Sequence, residues 1–205
     1  MAPADDAFGP ITVYLKRLSA GDASAEGALA EAVYAHLQRV ARGLLASNRK
    51  DVSLQPTELV NKVLFELIRS RSIDWQDRVH FFRVASRLLR RRMIDHILSH
   101  RAAKRPPRHM RVDFDDLLLP DESRFEEILL VHEGLEKLAE FDYPLAELIE
   151  MIYFGGITIQ MAAELRGVSE KTIDRHLDFA RRWLEKNFKA PCPPSVKNPA
   201  SFDRP

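Results

Sequence analysis

Apolar residues recur at helical spacing along nearly the whole chain. Leu29, Val33, Leu37, Val40 and Leu44 advance by steps of four and three, which predicts a long first helix, with Asp22 in the preceding AGDAS stretch as its cap. Val60, Val63, Leu64, Leu67 and Ile68 predict a second helix, with Pro56 suited to its first turn. A third is expected from about Arg78 to Ser99. Its apolar residues, Phe81, Phe82, Val84, Ala85, Leu88 and Leu89, cover one broad side, while Arg83, Arg87, Arg90 and Arg91 fall at i, i+4, i+7 and i+8 on the other. This helix is expected to bury one face and offer a stripe of guanidinium groups on the opposite one.

The period then stops. KRPPRHM and VDFDDLLLPDES carry paired prolines and no helical repeat, so residues 101–123 read as a linker. Helical spacing resumes at Ile128, Val131, Leu135 and Leu138, and again at Leu145, Leu148, Ile149 and Ile152. Alternation of the strand type is absent from the sequence, and the last stretch, 190–205, has five prolines and reads as a disordered tail. The expected fold class is all-α: two small helical domains, 8–100 and 124–189, joined by an acidic linker.

The third connection of the second domain is the most informative. Gly155-Gly156 ends one helix, and Thr158 can cap the next, Ile159 to Arg166, whose Ala162 and Ala163 allow a second helix to cross closely. Gly167 supplies the positive φ needed to leave that helix, Val168 is expected as a buried turn residue, and Ser169 can cap a further helix beginning Glu170-Lys171-Thr172-Ile173. That is the helix-turn-helix layout, in which the start of the second helix meets base edges in the major groove. Here the base-facing residues would be Ser169, Glu170, Lys171, Thr172, Asp174 and Arg175, with Arg181 and Arg182 further along to meet phosphates. A plain helical hairpin is the alternative.

Charge changes the picture only when counted locally. The 205 residues carry 31 Lys and Arg against 30 Asp and Glu, a net +1 that as an average argues against a general polyanion binder. From Arg78 to Arg111, however, eleven basic residues face one acid, a local +10, and from Val112 to Glu127 seven acids face one base, a local −6. A basic surface of that density binds polyanions whatever the whole-chain sum.

Three stretches in order, LQPTELVNKVLFELI (Leu54 to Ile68), DWQDRVHFFRVASRLLRRRMIDH (Asp74 to His96) and YFGGITIQMAAELRGVSEKTIDRHLDFARRWLEKNF (Tyr153 to Phe188), make the chain resemble a bacterial RNA polymerase sigma factor of the extracytoplasmic-function (ECF) type, over about residues 10–188. The resemblance implies binding to core RNA polymerase, recognition of the -10 and -35 promoter elements and DNA opening. It makes 8–100 the polymerase-binding and -10 domain and 124–189 the -35 domain. Polymerase contacts would fall on Glu58, Asn61, Lys62 and Glu66, although the family commonly has an acid where Lys62 stands. The -10 reader would comprise Trp75, Arg78, His80, Phe81, Arg83, Arg87, Arg90 and Arg91: cations along the phosphates beside flat surfaces for an unstacked base. Each aromatic has a core role as its alternative.

Two departures bear on the -35 reader. Leu165-Arg166 precedes the turn glycine where the family has Leu, and Asp174 stands where Lys or Arg is common. Asp174 either accepts from a cytosine amino group or pairs with neighbouring cations. The acidic linker either threads a positively charged polymerase channel, as in the family, or is a solvated spacer.

Other chemistry is weakly represented. His96 and His100 at i, i+4 lack the HExxH pattern, and neither a phosphate-cradling glycine loop nor GxSxG occurs. Neither catalysis, a metal nor another cofactor is expected. The single Cys192, the absence of a long apolar run and a start, MAPADDAFGP, unlike a secretory signal lead to the expectation of a cytoplasmic protein without a membrane partner. An anti-sigma factor is a further candidate partner. The competing readings are a stand-alone helix-turn-helix regulator and a protein-binding adaptor.

Overall fold

The computed structural model describes residues 9–45, 54–69, 75, 77–104 and 122–188. Their regular structure is entirely helical: α1 (Gly9–Ser19), α2 (Ala25–Leu45), α3 (Pro56–Arg69), α4 (Arg78–Lys104), α5 (Glu122–Phe141), α6 (Tyr143–Tyr153), α7 (Ile159–Arg166) and α8 (Glu170–Phe188). Most of the linker expected at 101–123 and all of the tail at 190–205 lie outside the described residues.

The helix ends follow local chemistry. Pro56 opens α3, where its missing N–H leaves no intrahelical bond unmade. Asp142 caps α6 by accepting from the Leu145 N–H at 3.0 Å, with Pro144 in the first turn. Asp22 lies before α2 but serves the turn instead: its carboxylate accepts from the N–H and hydroxyl of Ser24 and from Arg17. The third expected helix continues past Ser99 through Arg101, Ala102 and Ala103 to Lys104, two residues before Pro106.

α1 packs on α2, α2 on α3 and α3 on α4. On the apolar side of α4, Phe81, Phe82, Ala85, Leu89, Met93 and Ile97 are fully buried, and Val84 and Leu88 pack half-buried against the same core. Trp75, Phe81, Phe82 and His36 form a run of tilted and edge-on ring contacts, with centroids 5.6 to 5.7 Å apart. The short α1, which the longer periodic segments overshadow, contributes Ile11 and Leu15 to this core.

Buried residues from both halves join one continuous apolar cluster, because α4 packs not only on α3 but also on α5 and α6. The turn after α6 fits into this junction. A Cβ on Gly155 would meet Ser86 Oγ of α4 at 2.1 Å, and one on Gly156, whose φ is +63°, would meet Val40 of α2 at 2.3 Å. Only glycine allows the backbone to approach so closely, so the double glycine is a docking element as well as a helix stop.

Candidate nucleic-acid interface

Helix, turn and helix fall at 159–166, 167–169 and 170–188. Thr158 accepts from the Met161 N–H at 3.1 Å, and Ser169 accepts from the Thr172 N–H at 3.2 Å, so side-chain oxygens cap both helices. Gly167 has φ +64° and returns its N–H to Ala163 and Glu164. Ala162, Ala163, Ile173, Leu177 and Ala180 are buried where α7 and α8 cross, and the half-buried Leu165 packs against the core. Val168 departs from the expectation: it is 39 % exposed, since the buried positions are filled from within the two helices.

On α8 the side chains of Ser169, Glu170, Lys171, Asp174 and Arg175 are exposed and Thr172 half-exposed, all within the first two turns. Further along, Arg181 pairs with Asp178 at 2.9 Å and Arg182 Nε donates to the Asp178 carbonyl. The start of α8 is therefore an exposed polar surface.

The stripe on α4 is placed differently. Arg83 Nε lies 2.7 Å from a Glu147 carboxylate oxygen, and Arg90 Nε lies 2.6 Å from one of Glu150. Arg90 also reaches Glu136 of α5 at 2.7 Å, Arg87 donates to the Tyr143 hydroxyl, and Arg78 lies 3.7 Å from Glu164. Arg166 adds a second cation beside Glu147 and donates to the Pro144 carbonyl. Of the stripe, Arg87 and Arg91 are exposed, the Arg83 side chain keeps 38 % of its surface, and Arg90, at 16 %, is the most covered. The expectation that these guanidinium groups face solvent is met at Arg87 and Arg91 and altered at Arg83 and Arg90, where α6 brings the carboxylates of Glu147 and Glu150 against them.

Trp75 and Phe81 are buried at 7 % and 0 % exposure, and His80 is half-buried beside Trp75. In this arrangement Trp75 and Phe81 present no free ring face, and their contacts are those of core residues. On α3, by contrast, Glu58, Asn61 and Lys62 are exposed, with Lys62 donating to Glu58 at 2.7 Å one turn away. Glu66 is half-buried and pairs with Arg92 of α4.

Glu147 and Glu150 are the residues that sequence reasoning passed over. A signal was present, since they interrupt the apolar run LAELIEMIY at i and i+3, where a buried carboxylate requires a partner. Burial pushes the Glu150 carboxyl above its usual range, and the adjacent Arg90 and Arg87 oppose that shift. Among the described residues no group of three or more His, Cys, Asp or Glu could hold a metal, and no helix is long and apolar enough to cross a membrane.

An all-helical chain with a capped, outward-facing polar helix at one end and an arginine-rich helix at its centre has the parts of a DNA-binding transcription protein. The family model described as ECF sigma factor matches residues 9–190, and the chain belongs to that family. Its role is that of a sigma factor: promoter recognition and DNA binding in transcription initiation. Neither a curated protein nor a solved structure matches the chain.

Proposed function

We propose that this protein binds core RNA polymerase in the cytoplasm through the exposed face of α3, reads a -35 element with the start of α8 and a -10 element with α4, and opens the DNA between them. The observation that carries this reading is the exposed polar surface at the start of α8, held by the Thr158 and Ser169 caps and the Gly167 turn, in a chain of the ECF sigma family. Glu58, Asn61, Lys62 and Glu66 are the polymerase-facing residues. Ser169, Glu170, Lys171, Thr172, Asp174 and Arg175 face bases, with Arg181 and Arg182 on phosphates. On α4 and its approach, Arg78, Arg83, Arg87, Arg90 and Arg91 follow the phosphates, with His80 nearest the opened bases and Trp75 and Phe81 supporting it from the core. The chain performs no chemistry itself; nucleotide joining belongs to the polymerase.

Transcript starts mapped after overexpression identify promoters carrying both elements, and transcription reconstituted from purified chain and core polymerase tests the reading on one of them. Initiation confined to that promoter is expected. Binding of the chain to this DNA as strongly without polymerase, with no gain in initiation, would instead favour a stand-alone regulator.

A further inference from the structure

Three aromatic rings stand together where the end of α5 meets the second half of α8. Phe141 lies nearly parallel to Trp183, with centroids 5.6 Å apart and planes 24° from each other, and nearly parallel to Phe179, at 6.4 Å and 23°. Trp183 packs half-buried against the core, whereas Phe141 and Phe179 keep 61 % and 46 % of their surface exposed. Phe179 and Trp183 are neighbours at i and i+4 on α8, so the rings form a strip along that helix with Phe141 beside it. An exposed apolar strip of this kind marks a surface that something covers. None of the three rings has a part in the promoter or polymerase contacts assigned above.

The chain carries a segment of matching chemistry close by. α8 ends at Phe188, and the sequence continues Lys189-Ala190-Pro191-Cys192-Pro193-Pro194, which puts Pro191 and Pro194 at the spacing of a PxxP ligand. Segments of that type pack their proline rings into aromatic grooves in an extended left-handed helix, and they lose little entropy on docking because each pyrrolidine ring already fixes φ. We propose that the strip of Phe141, Phe179 and Trp183 is the seat of this chain's own segment 191–194. The reach is sufficient. Trp183 lies about 7.5 Å back along α8 from Phe188, and the three residues that lead from Phe188 to Pro191 span up to roughly 10 Å when extended. From Pro191 to Pro194 a polyproline helix advances about 9 Å, enough to pass the roughly 6 Å that separates Trp183 from Phe179 along α8. A short tether holds the segment near the strip at a millimolar effective concentration, so an intrinsic affinity of only about 0.1 mM seats it about 90 % of the time. Seated, it clasps the end of α8 to the end of α5.

The test uses the full chain with a nitroxide on its single cysteine, Cys192, which lies between the two prolines, and reads amide signals by nitrogen-15 NMR with the label oxidised and reduced. The amides of Phe141 and Tyr143, some fifty residues from the label in sequence, are expected to lose their signal in the oxidised sample. Two sets of substitutions should restore it: Pro191→Ala, Pro193→Ala and Pro194→Ala, which leave every described helix untouched, and Phe141→Ala with Phe179→Ala, which remove exposed rings. With the label moved to Ser195→Cys in a Cys192→Ser chain, the same amides should be affected. Signals that survive in the parent overturn the proposal, as does a loss that persists in the proline variant.

A mixed sample separates the chain's own segment from a second copy. Spin-labelled chain without nitrogen-15 is combined with unlabelled nitrogen-15 chain, and the Phe141 and Tyr143 signals are expected to stay intact. Their loss in the mixture would mean that another copy fills the strip, which overturns the proposal. Acrylamide quenching of tryptophan emission gives an independent reading, because Trp75 is buried and the quencher reaches chiefly Trp183. The proline variant should lose protection relative to the parent, and equal quenching of the two overturns the proposal.

Discussion

His36 and Gly155, 119 positions apart in sequence, meet through a 2.7 Å hydrogen bond from the imidazole Nε2 to the glycine carbonyl, in a buried site where the ring also stands edge-on to Phe82. The bond ties the middle of α2 to the turn that follows α6. It fixes the tautomer of the neutral ring, since the acceptor has no proton to give.

This bond makes stability pH-dependent in a definite direction. Burial holds the His36 pKa below the ordinary 6.5, partly opposed by the Gly155 hydrogen bond and assisted by nearby Arg39. The unfolded chain therefore binds the proton more readily, and stability present above about pH 6.5 is lost as pH falls toward the depressed folded value. Urea midpoints between pH 5 and 8 should decline on the acid side, and His36→Phe should flatten that part of the decline while lowering the midpoint at pH 8. A parent and a variant with parallel profiles would remove His36 as the titrating group.

Two glycines should respond unequally to alanine. Gly167 has φ +64° with nothing within 4 Å of a Cβ, so Gly167→Ala costs only the left-handed strain, about 1–2 kcal/mol. At Gly155 the added Cβ meets Ser86 at 2.1 Å and the Met151 carbonyl at 2.4 Å, and Gly155→Ala should be clearly the more destabilising. Chemical denaturation of both variants checks the order.

Loss of a cap should be felt locally. Thr158→Ala removes the acceptor for the Met161 N–H and is expected to cost about 1 kcal/mol, whereas Thr158→Ser, which keeps the oxygen, should cost much less. Equal losses would mean that the methyl group and not the hydroxyl matters.

On the exposed side of α8, Arg182→Ala should weaken binding to duplex DNA at all sequences and reduce the salt slope by roughly 0.9 if one phosphate contact is lost. Lys171→Ala should instead alter preference among base pairs in a panel of -35 sequences. Glu58→Ala with Asn61→Ala should reduce co-purification with core polymerase and leave thermal unfolding nearly unchanged, because both side chains are exposed. A large drop in stability would assign them a structural part.

Much of the architecture is legible in the sequence because it is decided within a few residues. The period of Leu29, Val33 and Leu37, the proline at the start of α3, and the Thr158, Gly167 and Ser169 signals around the turn act through i, i+3 and i+4 neighbours or through the backbone preference of one residue. The same locality lets a capped helix with a polar first turn be recognised before its packing is known. Val168 was harder, since its exposure depends on how α7 and α8 fill their own crossing.

What only the tertiary structure decided is the condition of the arginine stripe. The sequence by itself determines that Arg83, Arg87 and Arg90 share a side of α4 opposite Phe82 and Leu89, because helical geometry alone places them there. It does not determine what faces that side. Glu147 and Glu150 lie some sixty residues further on, and only the packing of α6 against α4, with Gly155 and Gly156 seated on Ser86 and Val40, brings those carboxylates to the arginines. Charge along a chain is a sum over residues, whereas the surface potential depends on which charges become neighbours.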